Sequence, residues 1–436
     1  MNTGADLYNK AKHLIPGGAQ LLTKRPERYA PDIWPSYYSK AKGAQVWDLD
    51  GNKYVDMTYN SVGACILGAA DDDVDKAVKE AVDNGSMSTL NCPEEVELAE
   101  LLIELHPWAQ QVRYARCGGE AVTIAVRIIR AHTKKDKVAF CGYHGWHDWY
   151  LSANLQASDA LDDHLIKGLE PLGVPKALQG TAIPFNYNNI DEFYKVVEEH
   201  GDELAGIVME PIRSDQPKNG FLEKVRAKAT ELNIPLVFDE VSAGFRLTCG
   251  GSHLTLGVEP DIAVFAKGMS NGYPMGAILG KKEFMNVAWE TFISSTYWTE
   301  RLGPVAAIAT INKHRTNKVH EHLMRLGGRV QEGWRSAAEN TGLKIEAGGI
   351  TPLSHFSFEC EEKQPASTLF TQLMLEKGFL ASPAFYPTFA HTDANVDEYL
   401  IATEEAFSVI QAALDAGNIE ELLKGPVAFA DFRRLA

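Results

Sequence analysis

Short apolar runs alternate with amphipathic helical ones from about residue 70 to residue 280, and this alternation constrains the chain most. "VRYARC" (112–117), "KVAFCGY" (137–143), "LAGIVMEP" (204–211), "IPLVFDEV" (234–241) and "IAVFAKG" (262–268) read as strands. "DVDKAVKEAVDNG", "PEEVELAELLIELHP", "EAVTIAVRIIRAH" and "FLEKVRAKATELN" carry apolar residues at helical spacing, with Val122, Ala125, Val126 and Ile129 on one face of the third. Strands buried on both faces between helices define an α/β domain with a largely parallel sheet. Ligands of such sheets sit beyond the carboxyl ends of the strands. After about residue 305 the pattern becomes helices with short strands around "HFSFEC". We therefore expect three stretches: 1–60 as the N-terminal part of a small domain, 61–305 as the large domain, and 306–436 as the C-terminal part of the small one. In "GAQVWDLDGNKYVDM" the Asp50-Gly51 pair signals a hairpin with a two-residue turn.

Four strand ends carry chemistry. "RCGGEAV" runs from a strand through Gly118 and Gly119 into a helix, and free amides at a helix start bind phosphate. "CGYHGWHD" ends in an aromatic cluster where Tyr143 could stack on a flat ring. A metal site from His144 and His147 is the rival reading, and it lacks a third ligand at a recognisable spacing. "LVFDEVSAGFR" places Asp239 at the end of an apolar run, where a buried carboxylate needs a cationic partner. "DIAVFAKGMSNGYPMGA" ends a buried strand in Lys267, 28 residues after Asp239. A lysine whose pKa is lowered can form a Schiff base with an aldehyde. A phosphate cradle, an aromatic plate, an acid for a ring nitrogen and an amine for an aldehyde are what pyridoxal 5′-phosphate (PLP) needs. No Walker loop or dinucleotide fingerprint precedes a helix, which disfavours ATP or NAD.

In these motifs, with "LIPGG", "VMEP" and "LASPAF", the sequence resembles the class III PLP-dependent aminotransferases of fold type I, closest to the glutamate-1-semialdehyde aminomutase branch. The resemblance implies a large domain with a mainly parallel seven-stranded sheet, plus a smaller α+β domain from both termini. It implies that Lys267 holds PLP and shuttles the proton, Asp239 meets the pyridinium nitrogen, and Val241 and Tyr143 pack on opposite ring faces. Gly118 and Gly119 would hold the phosphate, with Glu210 close by. A threonine of a partner subunit completes this site in the family, and Thr299 or Thr296 matches it; a homodimer follows.

The sequence also departs from the family. Cys117 and Gly119 stand where the phosphate loop usually has hydroxyls, and Tyr386 replaces an acidic residue of the aminomutases. Arg213, Arg301, Glu300, Arg25 and Tyr386 suggest a polar, anionic acceptor. The expected reaction moves an amino group from L-glutamate to an aldehyde or keto acceptor, such as the lipopolysaccharide sugar acid 3,8-dideoxy-8-oxo-manno-octulosonate. The alternatives are an aminomutase-like mutase and an omega-amino acid transaminase, and, outside enzymes, a cofactor-binding regulatory protein.

Bulk properties agree. The 436 residues are 45% hydrophobic and 23% charged with a formal net charge of −16, which argues against a nucleic-acid or anionic-membrane surface. Six cysteines without a C-x-x-C pair suggest reduced thiols and a cytoplasmic protein. No run approaches a membrane span, and no signal-peptide pattern opens the chain.

Overall fold

The computed structural model describes residues 3–429. These divide into two compact units, one of residues 72–320 and one of the described residues before 72 and after 320. The boundaries fall at 71/72 and 320/321, against 60/61 and 305/306 from the sequence. The later boundary moves because helix Leu302–Asn317 packs on helices Asp72–Asp83 and Glu94–Leu105 and on the turn that begins at Lys267.

The larger unit is built on β1 (Gln111–Ala115), α1 (Gly118–Thr133), β2 (Lys137–Cys141), β3 (Ala182–Pro184), α2 (Ile190–His200), β4 (Leu204–Met209), α3 (Phe221–Glu231), β5 (Leu236–Asp239), β6 (Ile262–Phe265) and β7 (Gly276–Gly280). The strands form one seven-stranded sheet in the order β1-β7-β6-β5-β4-β2-β3. The β6-β5-β4-β2-β3 run is parallel, and β7 lies antiparallel between β1 and β6. β4, β5 and β6 are buried at every residue. That explains their continuous apolar sequence, because helices cover both faces of a parallel sheet. One face packs on α1 through Val122, Ala125, Val126 and Ile129, and the other on α2 and α3 through Phe193, Phe221 and Val225. The expected fold class, a mainly parallel seven-stranded sheet with smaller sheets elsewhere, is the one observed.

The smaller unit holds a four-stranded sheet in the order Tyr38–Lys42, Gln45–Asp48, Lys53–Met57, Phe379–Ala381, and a three-stranded sheet of Ile345–Gly348, Ser354–Phe358 and Ala384–Phe385. Its core centres on Trp334, Phe356, Phe370, Tyr399 and Phe407. The hairpin exists, with Val46 facing Tyr54, but its strands stop at Asp48 and resume at Lys53. The loop is longer than the two-residue turn expected because the Asp48 carboxylate takes the amides of Asp50 and Asn52 itself, each bond closing a local ring. Among the described residues no helix is long and apolar enough to cross a membrane.

Candidate active site

The site grows from the carboxyl ends of β2, β4, β5 and β6, and from the start of α1. At the end of β5, Asp239 is 4% exposed. One of its oxygens accepts the Val241 amide at 3.0 Å, and the other lies 2.7 Å from His144 Nδ1. His144 Nε2 points at the Cys141 carbonyl, 3.2 Å away. A carbonyl only accepts, so Nε2 is the donor in that contact. Asp239 is thus held in place by a buried imidazole of the loop after β2.

Lys267 follows β6 with φ +44°, a left-handed backbone that costs a non-glycine residue about 1–3 kcal/mol. Its amine donates to Ser242 Oγ at 2.8 Å. Burial, then the positive charges of Arg213 and Arg246, push its pKa down to about 8, against the opposing pull of Glu210 and Asp239. These five groups therefore surround one amine.

Tyr143 stands on the loop after β2, edge-on to Tyr150, and burial raises its pKa. Its amide donates to Glu210 Oε2 at 3.1 Å. Glu210, at the end of β4, also pairs with Arg213 at 3.1 Å. Gly142 before Tyr143 has φ +112°, and a Cβ there would lie 2.6 Å from the Glu210 carboxylate, so only glycine fits.

At the start of α1 the Glu120 carboxylate takes the amides of Arg116 and Cys117, each at 3.0 Å. The amides of Gly118 and Gly119 lie in the first turn, where the helix cannot satisfy them. A Cβ on Gly118 would come within 2.7 Å of Val241 Cγ1, and one on Gly119 within 3.0 Å of the His147 ring. His147 Nδ1 is enclosed and has no hydrogen-bond partner among the described residues. An unsatisfied enclosed nitrogen beside unsatisfied helix amides is a recess shaped for an anion. With a depressed lysine, a buried carboxylate and a ring-sized aromatic within the same site, these residues fit PLP.

The structure brings Lys267, Asp239, Tyr143, Val241, Gly118, Gly119, Glu210 and Arg213 into one unit around this recess. The other candidates have partners of their own. Arg301 pairs with Glu94 in a cleft between helices Asp72–Asp83, Glu94–Leu105 and Leu302–Asn317. Glu300 pairs with Arg116 at 2.7 Å and caps the helix that follows through the Leu302 and Gly303 amides. Thr299 and Thr296 are exposed, the Thr299 hydroxyl donating to the Thr296 carbonyl. Arg25 and Tyr386 belong to the smaller unit, where Arg25 packs against Gly17 and Tyr386 meets Tyr59 edge-on. Ser242 and Arg246 were not singled out from sequence as site residues, and His147 was read there only as a rival metal ligand with His144. Only the even spacing of 239, 241 and the apolar strand before them marked that turn.

The fold is that of fold type I PLP transferases: the FumI protein of Sphingopyxis sp. MTA144, solved in a PLP-carrying form, superposes with a TM-score of 0.86 at 24% identity, over 95% of this chain and 97% of the other. The class-III aminotransferase profile matches residues 29–407, and the chain belongs to that family. It is 32% identical to the 3-aminobutyryl-CoA aminotransferase of Cloacimonas acidaminovorans (strain Evry), over 94% of this chain and 97% of that one. It is 30% identical to the 2′-deamino-2′-hydroxyneamine transaminase of Streptomyces kanamyceticus, over 91% and 96%. The protein is thus a PLP-dependent transaminase.

Proposed function

We propose that this transaminase takes its amino group from L-glutamate and delivers it to a hydroxyl-rich aldehyde or ketone that carries one carboxylate, a sugar acid of the 3,8-dideoxy-8-oxo-manno-octulosonate kind. The observation that carries the chemistry is the Lys267 amine, with its pKa near 8, among Asp239, Glu210 and two arginines. A cavity of about 290 Å³ shares Glu210 and Arg213 with that site and is lined further by Asp163, Asn186 and Asp215. Acceptor oxygens suit substrate hydroxyls, and the one guanidinium suits a carboxylate. The likeness to a transaminase named for an aminoglycoside core supports a hydroxyl-rich acceptor.

The residues divide the work as follows. The Gly118 and Gly119 amides and His147 Nδ1 would hold the phosphate. Asp239, fixed by His144, would meet the ring nitrogen, and Tyr143 and Val241 would pack on the ring. PLP, when bound, supplies an aldehyde to accept the amine and a ring that withdraws electrons. Lys267 would remove the proton from the substrate carbon and return it to the carbon of the cofactor's aldehyde, across the intervening nitrogen, a role its pKa near 8 permits in both directions. Arg213 would leave Glu210 for the donor's carboxylate. Arg301 and Glu300 are given no substrate contact in this scheme, because Arg301 is paired with Glu94 and Glu300 with Arg116, the residue just before Cys117.

A second copy of the chain completes the reading. Trp289, Phe292 and Tyr297 are 89%, 93% and 70% exposed, just before Thr299, and a partner subunit would cover them. All six cysteines are free thiols, which supports the cytoplasmic assignment. The test is a visible spectrum with PLP, before and after L-glutamate, followed by oxo sugar acids, neutral oxo sugars and β-keto acids as acceptors. Bleaching by glutamate and turnover of the sugar acids alone is the expected result. Equal turnover of β-keto acids would overturn the acceptor class.

A further inference from the structure

The one hydrogen bond described for the Lys267 amine goes to a residue with no role so far. Ser242 Oγ accepts from it at 2.8 Å. Ser242 is itself buried, and its carbonyl accepts the Arg246 Nε–H at 2.6 Å. Arg246 is 1% exposed. The serine is therefore fixed through its backbone by an enclosed guanidinium, while its hydroxyl stays free to turn about the Cβ–Oγ bond. It lies on the turn that also presents Asp239 and Val241.

Lys267 must serve as both acid and base. As an ammonium it has three donors and no acceptor; as an amine it offers a lone pair. Four charged groups influence it: Arg213, Arg246, Glu210 and Asp239. The guanidinium groups only donate, and the carboxylates, when ionised, only accept. Asp239 is already engaged by His144 and the Val241 amide, and Glu210 by Arg213 and the Tyr143 amide. A hydroxyl does both. We propose that Ser242 is a positioning residue for Lys267, its hydroxyl accepting from the ammonium and donating to the neutral amine, so that the amine keeps its place between successive proton transfers. Ser242 itself neither gains nor loses a proton; the one that Lys267 takes up or gives back is exchanged with the reacting carbon, and the hydroxyl only reverses direction. The inference rests on the assignment of Lys267 as the reaction's acid and base.

The test uses the full chain, PLP-free and PLP-loaded, as wild type, Ser242→Ala and Ser242→Thr. Two quantities are read: the pH midpoint for capture of PLP, seen as growth of the visible band, and the rate of the first half-reaction with the amino donor that bleaches the wild-type band fastest. For Ser242→Ala we expect a half-reaction 10- to 100-fold slower, an amino-donor affinity within about twofold of wild type, and a capture midpoint moved to lower pH. The midpoint falls because the bond to an ammonium is stronger than the bond to an amine, so its loss penalises the charged form more. Ser242→Thr keeps the hydroxyl and should restore both quantities. Wild-type rate and midpoint in Ser242→Ala would overturn the proposal and leave the role of Lys267 intact, as would a Ser242→Thr defect as deep as that of alanine. A wild type that captures no PLP would overturn both.

Discussion

A lysine pKa near 8 makes the chemistry at Lys267 depend on pH in a stated direction. Capture of the PLP aldehyde needs the neutral amine. Below pH 8 that fraction falls about tenfold per unit, and above it the fraction saturates. The capture rate of the PLP-free protein should therefore rise with pH and level off near 8, about two units below an ordinary lysine. A midpoint near 10.5 would show that neither burial nor the two arginines act on this amine. Lys267→Ala should abolish both the band and turnover. At the phosphate recess, His147→Ala should weaken PLP binding about tenfold while leaving pyridoxal, which lacks the phosphate, unaffected. Equal loss for both ligands would assign His147 to the shape of the loop instead.

The element that organises these residues is the turn after β5. Side chains alternate along it, so Asp239 and Val241 face the recess while Glu240 points the other way. Glu240 is 0% exposed, and its carboxylate accepts four hydrogen bonds: the Ser252 amide and hydroxyl, the His253 amide, and His253 Nδ1 at 2.7 Å. The Trp108 indole donates to His253 Nε2 at 3.0 Å, and an indole only donates, so the hydrogen of this imidazole sits on Nδ1 and points at Glu240. These bonds hold the Glu240 carboxyl below the usual range against the cost of burial. His253→Ala removes one of them and leaves an enclosed indole N–H without a partner. We expect about 2–4 kcal/mol of lost stability by denaturant titration. PLP affinity should fall with it because the turn carries Asp239, Val241 and Ser242. A loss below about 0.5 kcal/mol would refute this account of the turn.

This turn also shows what a sequence can disclose. Asp239 was legible because an apolar strand ending in an acid raises a desolvation problem, and Lys267 because a buried strand ended in an amine among glycines. The parallel sheet was legible from continuous apolar runs. Ser242 and Arg246 were not, since a serine and an arginine on a loop have many ordinary uses and only the closed turn makes them neighbours, and His147 was read only as a rival metal ligand. Arg301 and Glu300 show the converse. Their charge looked available in one dimension, yet Glu94 lies 207 residues before Arg301 in the chain and meets it in space. Ion pairs of that span are set by the packing of helices, which no local pattern encodes.

At the scale of the whole molecule, the larger unit leaves an apolar surface that one copy does not cover. Leu90 is 80% exposed, Trp289 89% and Phe292 93%, on two segments that the Arg301 amide links through the Ser86 carbonyl. We propose that a second copy covers these groups; burying one such aromatic contributes about 1.5–3 kcal/mol. Phe292→Glu places a charge where the second copy would sit. Its desolvation would oppose association, so sedimentation should show half the wild-type mass at micromolar concentration. Thr299 follows this segment closely, so a site completed across the interface would lose PLP affinity together with the dimer. Titrating the variant with PLP separates the possibilities. Monomers that bind PLP as tightly as wild type would mean that each copy holds the phosphate with Gly118, Gly119 and His147 alone. Monomers that bind it at least tenfold more weakly would place a partner's threonine in the recess. Thr299→Ala and Thr296→Ala, which leave the apolar surface unchanged, would then show which hydroxyl is responsible.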